Sequence, residues 1–111
     1  MEINSSQFKH CDVIKVTGRL DSATSSKLAE EFARIQDRGQ FKIVVDLTGL
    51  DFISSAGLRV LIANLKTCKR YNRGDVVLAG MQDKILSVFD LAGFTPLFKI
   101  YHDTLTAVGS F

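Results

Sequence analysis

Apolar and polar positions along this chain follow two periods in alternation. In "VIKVTGRL", Val13, Ile14 and Val16 alternate with Lys15 and Thr17, the signature of a half-buried strand. "SSQFKHC" before it reads as a weaker strand that can pair with it as a hairpin. Gly18 is expected to break the strand, and Asp21 and Ser22 to cap the helix after it. In "ATSSKLAEEFARIQDRG", Leu28, Phe32 and Ile35 lie on one helical stripe, and Gly39 is placed as its stop. "FKIVVDL" is β-branched and apolar nearly throughout, as expected of a central strand covered on both faces. Asp51 to Ile53 reads as a loop or strand end. Leu58, Leu61, Ile62, Leu65 and Cys68 then repeat at helical spacing, with a stop near Asn72–Gly74. "DVVLAGM" reads as a buried strand and "QDKILSVFDLAG" as a helix ended by Gly93. "LFKIYHD" reads as a last strand and "TLTAVGSF" as a short terminal helix. Strands alternating with helices imply βαβ crossovers. The expectation is a compact α/β domain with four to five strands, largely parallel.

Length and composition narrow the class. A chain of 111 residues is expected to form one domain, over residues 1–111, and to bury roughly two-thirds of its unfolded surface. The net charge of +2 does not point to nucleic acid. The basic run "KTCKRYNRG" reads as a solvated helix end, where cations are favoured. Cys11 and Cys68 form no C-x-x-C pair and read as small reduced core residues. Neither they nor the two histidines make a zinc set. "MEINSSQFKH" lacks an apolar signal core, and no apolar stretch approaches a membrane span. A cytoplasmic location is expected, with no cofactor or metal and no nucleic-acid or membrane partner.

The candidate chemistry lies in "DFISSAGLRVL", residues 51–61. Ser55-Ala56-Gly57 matches the second half of the nucleophile elbow G-x-S-x-G, but Ile53 stands where the first glycine belongs. A hydrolase could be assembled in chain order from Ser55, Asp90 and His102, all residue types common in any chain. Neither phosphate-loop motif occurs, and the eight glycines are scattered. One serine suffices to cap a helix, and here there are two. The positive end of a helix is also a favourable place for an added phosphate.

Ser54-Ser55-Ala56-Gly57-Leu58 resembles D-S-[ST]-G-L, the signature of the STAS family and most closely of bacterial anti-sigma factor antagonists. "DLTGLDFISSAGLRVL" (46–61), "VTGRLDSATSSKL" (16–28) and "VFDLAGFTPLFKIY" (88–101) resemble three blocks of that family and together span nearly the whole chain. The resemblance implies a small mixed sheet with about four helices, mainly on one side. It implies a binding switch, not an enzyme. The unphosphorylated antagonist binds an anti-sigma factor that is itself a serine kinase, and phosphorylation on serine releases it. A PP2C-type phosphatase reverses the modification.

Carried over by position, the acceptor is Ser55, with Ser54 as second choice. Ser54 stands where the motif has Asp, and Ala56 where it has Ser or Thr, so a charge and a competing hydroxyl are both missing. Asp21 matches the aspartate of the family's G-x-L-D segment near the kinase-docking surface. Asp21, Ser22, Thr24, Ser54, Ala56, Gly57, Arg59 and Ile62 are the expected partner-binding residues. A monomer or weak dimer is expected. The competing function is a STAS adaptor without signalling, as in lipid-transport or stress-sensing complexes. A serine hydrolase is the remote third.

Overall fold

In a computed structural model, residues 2–71 and 73–111 are described. The chain order is β1 (Glu2–Gln7), β2 (Asp12–Leu20), α1 (Ser25–Asp37), β3 (Lys42–Asp46), β4 (Leu50–Ile53), α2 (Ser55–Lys69), β5 (Asp75–Ala79), α3 (Asp83–Leu91), β6 (Lys99–Tyr101) and α4 (Thr104–Gly109). A 3-10 turn, Thr95–Leu97, holds the one proline and precedes β6. The described strands form one sheet in the order β1-β2-β3-β5-β6, with β4 beside β2. Only β1–β2 is antiparallel; the other pairings are parallel.

Alternation along the central strands divides the core into two layers. Ile14, Val16, Ile43, Val45, Val76 and Leu78 face one way, against Leu28, Phe32 and Ile35 of α1, Leu58, Leu61 and Leu65 of α2, and Ile85 and Phe89 of α3. Val13, Val44, Val77 and Ala79 face the other way, against Ala107 of α4. Val44 and Val45 are both fully buried, which is why "FKIVVDL" lacks a polar face. Three helices therefore cover one side of the sheet and a short one covers part of the other, close to the expected arrangement.

The structure corrects the expected four to five strands to six. The weak "SSQFKHC" signal corresponds to β1, an exposed edge strand whose residues need no apolar pattern. The sixth strand is β4, where a loop or strand end was expected. Gly18 does not end β2. It takes φ +94 inside the strand, and the register shifts between Gly18 and Arg19. β2 pairs with β3 through Asp12–Lys15 and with β4 through Gly18–Leu20. Gly18 and Arg19 lie opposite Leu50 and Phe52, so the extra residue of this irregularity is Asp51 of β4. Gly39 and Gly93 do close α1 and α3, at φ +84 and +76. Of the expected α2 stop, Asn72 lies outside the described residues. Gly74 brings the chain tightly past α2 into β5, with its N–H on the Tyr71 carbonyl at 2.7 Å.

A Cβ on Gly74 would lie 2.2 Å from the Cys68 carbonyl oxygen and 2.4 Å from that of Phe41. Backbone atoms cannot swing aside as side chains do. Gly74→Ala is expected to destabilise the fold by about 1–3 kcal/mol, read as a lowered urea midpoint with an unchanged slope.

Candidate functional site

The site lies where β4 turns into α2. Ser54 is the N-cap, with extended backbone (φ −94, ψ 172). Its hydroxyl oxygen accepts the Gly57 N–H at 3.3 Å, and its carbonyl accepts the Leu58 N–H at 3.0 Å. Its own N–H donates to the Leu20 carbonyl at 2.9 Å, fastening the start of the helix to the end of β2. Gly57 is buried against the same strand end. A Cβ there would meet Leu20 Cγ at 2.9 Å and Ile53 Cγ1 at 3.0 Å. The glycine of the motif is thus a packing requirement: only a residue without Cβ lets α2 approach this closely.

With the helix start fixed, Ser55 stands at its first position and is exposed. An α-helix leaves its first N–H groups without intrahelical acceptors, and its N-terminus carries partial positive charge. No acidic residue occupies the first turn of α2 to complement it. Arg59, one turn along, donates from Nη2 to the Ser55 hydroxyl oxygen at 3.4 Å.

A second loop lies beside the site, because the Leu20 carbonyl that holds Ser54 is followed directly by Asp21. The Asp21 carboxylate accepts the N–H groups of Ala23 and Thr24 at 3.0 and 3.1 Å. The Thr24 hydroxyl accepts the Asp21 N–H at 3.0 Å and lies 2.9 Å from the Arg19 carbonyl as a donor. The Thr24 side chain and N–H hold the Asp21 carboxyl below the ordinary aspartate range. Asp21 therefore closes the turn before α1 and does not cap the helix. The N-cap is Thr24, which makes no side-chain cap bond, and Ser22 is exposed, which corrects the expected capping role of both Asp21 and Ser22.

Other braces set the position of β4. Gln82 Nε2 donates to the carbonyls of Thr48 and Leu50, each at 3.1 Å. Arg19 lies over the Phe52 ring, 4.1 Å from its centroid. Both residues escaped sequence reading, and no local pattern marks either one, because their partners are distant in the chain.

A family model described as the STAS domain matches residues 2–107. The chain belongs to the STAS domain family. BtrV of Bordetella bronchiseptica, named as a candidate anti-sigma factor antagonist, is 34% identical over 94 residues, covering 85% of this chain and 80% of its own. An anti-sigma-B factor antagonist of Listeria monocytogenes is 27% identical over 100 residues, covering 90% of this chain and 86% of its own. A solved structure of the Bacillus cell fate determinant SpoIIAA in its phosphorylated form has the same fold, with TM-score 0.77 at 16% identity. The match covers 98% of each chain.

The expected partner-binding residues fall into exposed and buried sets. Ser22 and Arg59 are exposed, as is Ser55, the expected acceptor; Asp21, Thr24, Ser54 and Ala56 are half-buried. Ile62 is half-buried and packs on the main core. Gly57 is buried, so it positions this STAS motif from beneath. The residues drawn on for a hydrolase bond elsewhere: Ser55 to Arg59, and Asp90 to the Thr95 hydroxyl. His102 is exposed, just after β6. Both thiols are buried, and desolvation pushes Cys11 and Cys68 up from ordinary values. Among the described residues no His, Cys, Asp or Glu cluster could hold a metal, and no helix is long and apolar enough to cross a membrane.

Gly57→Ala and Ser54→Ala separate packing from capping. Gly57→Ala is expected to destabilise by about 1–3 kcal/mol through overpacking against Leu20 and Ile53. Ser54→Ala is expected to cost about 1 kcal/mol through the lost cap. Chemical denaturation of the two variants checks both magnitudes.

Proposed function

We propose that this protein is an anti-sigma factor antagonist working as a phosphorylation-controlled binding switch. Unphosphorylated, it binds an anti-sigma factor that is a serine kinase; with phosphate on Ser55 it is released; a PP2C-type phosphatase resets it. The observation that carries this reading is the exposed Ser55 hydroxyl at the first position of a helix whose start is locked in place by Ser54 and Gly57. The names of the sequence relatives support the same reading. In the transfer step the Ser55 oxygen forms a bond to the γ-phosphorus of ATP, the bond from that phosphorus to the bridging oxygen of ADP breaks, and the hydroxyl proton passes to a base of the kinase.

Magnitudes say where such a phosphate acts. It adds about −1.5 to −2 charges and three strong acceptors. At a helix N-terminus negative charge is stabilising, by roughly 0.3–2 kcal/mol, so the fold is kept. Against a partner surface shaped for a neutral hydroxyl, misplaced charge costs several kcal/mol. Each 1.4 kcal/mol is about tenfold in affinity. The interface effect exceeds the helix effect, so the outcome is release without refolding. The docking surface is the exposed side of α2 from Ser55 through Arg59, together with the Asp21–Thr24 turn.

Ser55→Ala and Ser55→Asp, used as baits in native lysate, test the switch. Ser55→Ala should retain a serine-kinase anti-sigma factor, and Ser55→Asp should retain at least about tenfold less. Equal retention of the same partners by both baits would favour an adaptor role. Equal retention of the kinase by the two Ser55 baits, with less by Ser54→Asp than by Ser54→Ala, would move the acceptor to Ser54.

A further inference from the structure

We propose that Arg59 is a phosphate clamp: once Ser55 is phosphorylated, the Arg59 guanidinium turns from its hydroxyl contact to an ion pair with the phosphate of its own helix. The proposal rests on the reading that Ser55 is the acceptor, and goes beyond it by assigning what holds the phosphate and what the modification withdraws from the surface.

The contact already exists in unmodified form. Arg59 Nη2 lies 3.4 Å from Ser55 Oγ, one helical turn away. Position i to i+4 with the anion nearer the N-terminus is the favourable orientation for a helical ion pair. Guanidinium presents a planar fork of donors that suits a phosphate.

The neighbouring charges are engaged elsewhere. Asp51 and Lys84 face each other at 3.9 Å. The Asp21 carboxylate is held in its own turn, and Arg19 lies over Phe52. Among the described residues no carboxylate comes within ion-pair distance of Arg59. Ser54, where the family motif has Asp, leaves no acid adjacent to the acceptor, and the first turn of α2 holds none. Arg59 is thus an exposed cation whose polar contact is the hydroxyl to be modified.

The consequence concerns the switch. An added phosphate alone would change the docking face by one anion. With the clamp, the same event also ties down the cation that the unmodified face presents. A partner carboxylate that met Arg59 before modification meets a neutralised, immobilised side chain afterwards. Modification then acts twice within one helical turn.

The test uses the full chain made with phosphoserine incorporated during translation at position 55, so no kinase is needed. Phosphorus NMR follows the second ionisation of the phosphate in proteins carrying Arg59, Arg59→Gln or Arg59→Lys. The clamp lowers the midpoint with Arg59 by about 0.2–0.7 pH unit relative to Arg59→Gln, the shift expected of an exposed ion pair. Arg59→Lys, which keeps the charge but not the fork, falls between them, and raised salt shrinks the difference. Equal midpoints for all three proteins would overturn the proposal and leave the helix N-terminus alone holding the phosphate. Failure of any kinase to modify Ser55 would instead overturn the switch reading, and this measurement would be untouched by it.

Discussion

The site depends on one close approach. The N-terminus of α2 is pressed onto the end of β2, with the Ser54 N–H on the Leu20 carbonyl and Gly57 against the Leu20 and Ile53 side chains. In that approach β4 stands beside the far half of β2, Gly18–Leu20, while the near half pairs with β3. The position of Ser55 at the start of α2 is set by this approach to the end of β2. A hydroxyl held on a rigid element is a better recognition point than one on a mobile loop, because less order must be imposed when a partner binds.

The two adjacent serines divide the work that a single cap leaves undone. Ser54 satisfies a first-turn N–H and ties the helix to the sheet. Ser55 makes no cap bond and is left with Arg59. Were the same hydroxyl to cap the helix and accept phosphate, modification would remove the cap. Separating the roles lets a charge be added where the helix favours it while the cap stays intact. The replacement of the motif aspartate by Ser54 fits this division: capping survives, and the charge that would compete for Arg59 is missing.

Much of the fold was legible because period and burial coincide. "FKIVVDL" and "DVVLAGM" are buried on both faces, so their composition marks central strands; the stripe of Leu28, Phe32 and Ile35 marks α1 as directly. Elements without a buried pattern were obscure. β1 is an exposed edge, and β4 has only four residues with Asp51 and Phe52 exposed between buried ends. Gly18 read as a terminator because a glycine inside a strand usually weakens it; that the strand runs on through it depends on pairing with β4, which the pattern did not reveal. At the site, the proposal that Ser55 is a phosphate acceptor came from family resemblance. Local physics showed only that the helix end would accept a phosphate. The packing role of Gly57, the Gln82 brace and the Arg19–Phe52 contact needed coordinates, since each joins residues from separate elements.

The central claim is that phosphate on Ser55 changes a surface and not a fold. It is tested most directly by comparing backbone amide NMR spectra of the chain with serine and with phosphoserine at position 55. The account predicts shifts confined to the first turns of α2, to β4 and to the Asp21–Thr24 turn, with the amides of β3 and β5 unmoved. Shifts spread through β3 and β5, or loss of dispersion across the spectrum, would contradict it.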